Sequence, residues 1–178
     1  MSANDVIEDE LLFLPLGGAG EIGMNLNLYG FGKPGKPQWI MVDLGITFGD
    51  NTHPGVDVIM PDPKYIEDHK DQLLGLVLTH AHEDHFGAIP DLWPLLGRPP
   101  IYATPFTAEM LKSKLAEMWA DDDDLPLEVV PLGANRDIGP FDVELIAMSH
   151  SIPEPSAVAI TTPLGRVLHT GDWKLDEN

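Results

Sequence analysis

One segment constrains this chain more than any other: Leu78-Thr79-His80-Ala81-His82-Glu83-Asp84-His85. It grows out of the apolar run GLVL (75–78) and leads into Phe86-Gly87-Ala88-Ile89-Pro90. Three of the seven histidines fall within this short stretch, with carboxylates among them. A short apolar run that closes on titratable groups reads as a buried strand ending at a rim. The glycine after the cluster lets the chain turn sharply. Residues i and i+2 of an extended segment share a face, so His80 and His82 are expected to reach one metal ion together. Asp84 and His85 fall where strand gives way to loop and would turn toward a second ion, while Glu83 points away. Imidazole and carboxylate suit zinc, and also manganese or iron.

One cluster does not complete a metal site, and the later chain supplies more candidates at strand ends. His150 closes FDVELIAMSH (141–150), and Asp172 closes RVLHTGD (166–172). A carboxylate can bridge two cations, a role that suits Asp172. Asp43 closes WIMVD (39–43) and would orient a ligand histidine by accepting its other ring N–H. His53 and His69 read as solvent-exposed, and His169 as packed or hydrogen-bonded within its strand.

Around these sites strands dominate, with helices between them. LLFLPL (11–16) reads as a buried strand, and alternation at Met24, Leu26 and Leu28 gives a second. QWIMVDLG (38–45), GLVLTH (75–80) and IYAT (101–104) follow, then LEVVPL, FDVELIAMSH, SAVAITT and RVLHTGD. KYIEDHKDQLL (64–74) suits a short amphipathic helix, and AIPDLWPLL (88–96) reads as a helix. PFTAEMLKSKLAEMW (105–119) is the clearest helix: proline opens it, and Phe106, Met110, Leu111, Leu115 and Met118 have helical spacing. GAGEIG (18–23) matches the dinucleotide-binding fingerprint, with Asp43 at a suitable distance. That fingerprint needs a helix next, to receive pyrophosphate. MNLNLYGFG follows instead and alternates like a strand, so a glycine turn between paired strands, or a close backbone approach to a metal site, is expected.

Composition limits the partners. With 29 acidic against 10 basic residues the net charge is −19, a field that repels phosphate backbones and anionic lipid. Nucleic acid could then be held only locally, through metal ions. There is no cysteine, so thiolate ligands and disulfides are excluded, in keeping with a reducing cytoplasm. Residues 1–10 are acidic and read as disordered; they lack the regions of a signal peptide. No apolar run is long enough to span a bilayer. DDDD (121–124) lacks the glycine and spaced ligands of a calcium loop and reads as a solvated turn. Trp93 and Trp119 read as core packing, not as a base-stacking platform.

The spacing H-x-H-x-D-H, with Asp43, His150 and Asp172 where further motifs would fall, resembles the metallo-β-lactamase superfamily. LPLGGAGEIGMNL, GVDVIMPD, LTHAHEDHFGAIP, SHSIPEPSAVAI and HTGDWKLD look like the ribonuclease J family, in its β-CASP branch. The likeness covers roughly residues 11 to 176. It implies an α/β fold, an αββα sandwich of two sheets with helices outside. It implies a metal-dependent ribonuclease, both endonuclease and 5′-to-3′ exonuclease, with RNA as substrate and two divalent ions, zinc or manganese. By carry-over, His80, His82 and His150 hold one ion, Asp84 and His85 the other, with Asp172 bridging. Asp84 is also the candidate to handle a proton in catalysis.

The family continues into an inserted β-CASP domain and then supplies a last histidine ligand. Neither is found in these residues. The expectation is therefore the N-terminal part of a metallo-β-lactamase domain (11–178), with an incomplete second metal site and little activity alone. The family also implies a homo-oligomer, assembled through regions outside this chain. Competing readings are a thioester or lactam hydrolase, against which GGAGEIG and HSIPEP speak, and a di-iron oxidoreductase, which would carry glutamate at the position of His82. A non-catalytic metal-binding scaffold is the third.

Overall fold

The computed structural model describes residues 8–119 and 125–175, so the tetra-aspartate stretch and most of the acidic N-terminus lie outside the described residues. Strands β1 (Glu10–Gly17), β2 (Leu26–Lys33) and β3 (Lys36–Val42) form an antiparallel meander. A small hairpin, β4 (Thr47–Phe48) with β5 (Val58–Ile59), follows. The chain then passes through α1 (Lys64–Asp68) into β6 (Leu73–Val77), which lies parallel beside β3. The short helices α2 (Glu83–Phe86) and α3 (Ile89–Leu92) lead to β7 (Ile101–Ala103), and α4 (Pro105–Met118) leads toward β8 (Leu127–Val129). The resulting mixed sheet has the order β1-β2-β3-β6-β7-β8. A second, antiparallel sheet is built from β9 (Asn135–Ile138), β10 (Phe141–Ala147), β11 (Ser156–Thr162) and β12 (Gly165–His169), in the order β12-β11-β10-β9.

Alternation along the strands divides the core in two. Leu28, Met41, Leu76 and Leu78 face the helices and meet Ile66, Phe86, Ile89, Leu111 and Leu115. Tyr29, Ile40, Val42 and Val77 face the other way and pack on Val143, Leu145, Val158 and Ile160 of the second sheet. Helices, first sheet and second sheet are thus three stacked layers of the expected αββα sandwich. Among the described residues, no helical side chain joins the cluster between the sheets. No described helix is long and apolar enough to cross a membrane.

Several elements depart from their sequence patterns. β1 is an edge strand paired with β2 alone, and Phe13 is 56% exposed, so the strand is half-buried where a buried one was expected. The expected 64–74 helix is interrupted at His69 and resumes as a 3-10 turn over Lys70–Gln72, and it ends there because Leu73 is drawn into the sheet opposite Trp39. Helix α4 turns Thr107, Ala108, Leu111 and Leu115 inward and leaves Met110 and Met118 exposed. β9 gave no apolar signal: only Ile138 is buried, and the strand exists as the partner of β10 across the Gly139-Pro140 turn.

Candidate metal centre

β6 ends at Val77, so His80 and His82 sit on the irregular connection to α2, not on an extended strand as the spacing suggested. Backbone hydrogen bonds hold this connection. The segment after β3 lies alongside it, with Leu44 N–H donating to the His85 carbonyl at 2.7 Å and Ile46 N–H to that of Glu83 at 3.0 Å. Asn25 N–H donates to the Asp84 carbonyl at 3.0 Å, and the Asn25 amide donates to the same oxygen. Gly45 fits because it has no side chain: a Cβ there would meet the Asp84 carbonyl oxygen at 1.7 Å.

Below the connection lies Asp43, fully buried and held at φ 63°. Its carboxylate accepts the Thr79 N–H at 2.8 Å, the Thr79 hydroxyl at 2.8 Å and the His85 Nδ1 proton at 2.7 Å. Asp43 therefore orients a histidine of the cluster, the role the sequence suggested for it. Burial pushes its carboxyl up, but the His85 charge and these hydrogen bonds together hold it below the ordinary carboxylate value. Burial likewise pushes His85 down, and it is overruled by Asp43 and Asp172, which raise the imidazole to about 10 in the metal-free chain.

Above Asp43 the candidate ligands converge from three places: the β6–α2 connection, the end of β10 and the end of β12. His80 Nε2 is 3.0 Å from His82 Nδ1, and His150 Nε2 is 3.2 Å from the same atom. His85 Nε2 is 3.5 Å from Asp172 Oδ1. Ring and carboxylate atoms fall into two groups, His80-His82-His150 and His80-His85-Asp172, each with its ligand atoms within 4.8 Å of one another. His80 belongs to both, a sharing that the spacing did not indicate. Asp84 stands beside the second group, with Oδ2 3.5 Å from His85 Nε2.

The donor set fits a divalent cation. Burial and the neighbouring His85 charge drive His80 down to about 3, so its ring stays neutral and keeps a lone pair. Burial and His150 also lower His82. A hydrogen bond from His85 holds Asp172 at about 2, ionised across the working pH range. His80 and His82 hold protons weakly and Asp172 is anionic, so three of the five clustered imidazole and carboxylate groups are ready to accept a cation, whereas His85 must first give up its proton.

The other singled-out residues sort cleanly. Glu83 points away, to Lys114 Nζ at 2.8 Å. His53 contacts Asp50, and His69 lies against Tyr65. His169 bonds to the Tyr29 hydroxyl at 3.0 Å, on β2 of the facing sheet and not within its own strand. The glycine motif leads into β2, not a helix, which removes the dinucleotide site. Gly18 and Ala19 instead line a cleft of about 380 Å³ together with Asn25, His85, His169 and Asp172. Thr79 and Asn25 were missed from sequence; adjacency to the histidine cluster and to the glycine motif was their sole signal.

The metallo-beta-lactamase superfamily model matches residues 35–175. Ribonuclease J of Sinorhizobium meliloti is 52% identical over 169 residues, covering 95% of this chain and 30% of that protein. Ribonuclease J of Thermus thermophilus is 37% identical over 174 residues, with the same coverage of 95% and 30%. The chain thus spans about 30% of the length of these relatives. Among solved structures, the metallo-beta-lactamase fold protein YhfI from Bacillus subtilis aligns with a TM-score of 0.57 at 19% identity, over 93% of this chain and 63% of that one. Homologous to ribonuclease J along nearly all its length and matched by the family model over most of it, this chain belongs to the metallo-beta-lactamase superfamily.

Proposed function

We propose that the chain carries the metal centre of a metal-dependent RNA phosphodiester hydrolase of the ribonuclease J type, acting in the cytoplasm as endonuclease and 5′-to-3′ exonuclease. The observation that carries the reading is the convergence of His80, His82, His85, His150 and Asp172 into two adjoining ligand groups, in a chain 52% identical to a Ribonuclease J. His80, His82 and His150 would hold one divalent ion, zinc or manganese. Asp84 and His85 would hold the other, with Asp172 between the two, one carboxylate oxygen 3.5 Å from His85 Nε2 and the other 3.7 Å from His150 Nε2. Bound there, such ions supply Lewis acidity that lowers the pKa of a water from 15.7 toward about 7 and neutralises phosphoryl oxygens.

The chain's own residues do the rest. Asp43 fixes the His85 tautomer through Nδ1, so that Nε2 faces the site. Asp84 Oδ2, beside His85 Nε2 and partly open to solvent, is positioned to exchange a proton with the reacting water or leaving oxygen. With a net charge of −19, the protein surface repels RNA phosphates, and the ligand cluster is where counter-charge would gather.

The test combines metal analysis with cleavage of 5′-monophosphorylated RNA, using this chain alone and this chain joined to the remaining segment of a ribonuclease J relative. We expect about one tightly held ion for the 178-residue chain, little turnover by it alone, and cleavage by the joined protein that His82→Ala abolishes. Metal uptake without cleavage by the joined protein would favour a scaffold, and absence of metal uptake at neutral pH would overturn the reading. A metal-loaded joined protein that hydrolyses a thioester or lactam but not RNA would favour the other hydrolase reading.

A further inference from the structure

His150 is the one ligand of the first group that arrives from the second sheet, so something must hold its loop against His80 and His82. The loop runs from the end of β10 to the start of β11, and Met148 N–H donates to the Pro155 carbonyl at 3.0 Å to close its base. Ser156, just after it, donates N–H and hydroxyl to the Thr79 carbonyl at 3.0 and 2.9 Å. Lys174 N–H donates to the Ser149 carbonyl at 2.8 Å on the β10 side of His150, so what remains to be placed is the limb of the loop that follows it.

At the far side is Glu154, whose carboxylate Oε2 accepts the Phe106 N–H at 2.7 Å. Phe106 is the second residue of α4, where backbone N–H groups lack partners within the helix. The local cap, Thr104, does not satisfy them: its hydroxyl donates to that of Thr107 at 3.1 Å and makes no capping bond. The cap therefore comes from another part of the chain. A carboxylate at a helix N-terminus is favoured by the helix dipole. Glu154 also sits at φ 52°, a conformation that a residue with a side chain keeps where its surroundings enforce it. Ile152, two residues earlier, packs against the helix-side core.

We propose that Glu154 is a positioning residue for His150: by capping α4 from a distance, its carboxylate sets the loop so that the His150 ring stands in the first ligand group. The inference rests on reading His150 as a metal ligand. Removing a group that orients a ligand lowers metal affinity about ten-fold or more, whereas loss of an ordinary helix cap lowers stability alone.

The experiment uses the 178-residue chain with Glu154→Ala and Glu154→Gln, the second of which keeps an acceptor oxygen. Cobalt(II) is titrated into each, following its visible ligand-field bands, alongside thermal melts and the ring nitrogen shifts of His150 in the metal-free state. The expected result is about ten-fold weaker cobalt binding with altered bands in Glu154→Ala, and near-wild-type values in Glu154→Gln. A lower melting temperature in Glu154→Ala with unchanged bands and affinity would reduce Glu154 to a helix cap and overturn the inference. If the wild type takes up no cobalt, the metal reading fails by itself, and the metal-free shifts decide. His150 nitrogens that move in Glu154→Ala but not in Glu154→Gln support positioning, and nitrogens unmoved in both overturn it.

Discussion

Asp43 Oδ2 lies 2.7 Å from His85 Nδ1, and both side chains are closed off from water, at 0% and 2% exposure. Replacing Asp43 by Asn leaves the His85 ring buried without its anion, and breaking such a pair costs about 3 kcal/mol. Chemical denaturation of the metal-free chain would measure it. A loss under 1 kcal/mol would mean that the pair is not what braces the site.

The same pair sets a pH dependence in the metal-free chain. His85 is raised from 6.5 to about 10 on folding, so its contribution is complete below about pH 6.5 and is lost as pH rises through about 10. Asp43 is lowered from 3.8, so its contribution is present above that value and is lost as pH falls through the lower folded value. Melting temperatures should therefore fall between pH 7 and pH 10 in the wild type and fall less in Asp43→Asn. Equal slopes would show that His85 is not charged.

His80 lies within reach of both ligand groups, but a neutral imidazole has one free lone pair and serves one ion at a time. Its Nε2 stands 3.0 Å from His82 Nδ1, which places it with the first group. His80→Ala and His82→Ala should each remove the first site, while Asp172→Ala weakens the second. Calorimetric titration with zinc reads the number of sites directly. Unchanged zinc affinity in His80→Ala would refute the assignment.

Acid should empty the groups in order. His80 is held down to about 3 and His82 is lowered, so protons compete weakly for these two. His85, raised to about 10, must release its proton before Nε2 can bind a cation. The second group should lose about ten-fold in affinity per pH unit on acidification, with a proton released on binding, and the first group less. Metal content at neutral and mildly acid pH checks this.

The cluster at 80–85 was legible because ligands so close in sequence have few ways to lie apart. His150 and Asp172 were legible as strand ends, since strands of one sandwich deliver their ends to one rim. The grouping of His80, His82 and His150 was legible through the family likeness; that His80 also stands beside His85 and Asp172 was not, because it depends on the connection leaving the β6 direction after Val77. Exposure was misread where a strand lacked a second neighbour, as at Phe13, or where a helix rotated about its axis, as at Met110. β9 was invisible because its stability comes from β10, not from its own residues.

Gly45 offers the sharpest test of how the site is supported. A Cβ there would lie 1.7 Å from the Asp84 carbonyl oxygen, 2.0 Å from its carbon and 2.5 Å from the His85 nitrogen. All three are backbone atoms of the connection that carries Asp84 and His85, so no rotamer change can relieve the contact. The neighbouring bonds, Leu44 to His85 and Ile46 to Glu83, hold the two segments together on either side. Gly45→Ala must push the segments apart, at a cost of about 2 kcal/mol or more. Because His85 moves with that backbone while His150 arrives from the other sheet, the second ligand group should lose affinity before the first. Zinc titration and thermal melts of Gly45→Ala measure both effects, and wild-type behaviour in both would mean that the connection is not seated on Gly45.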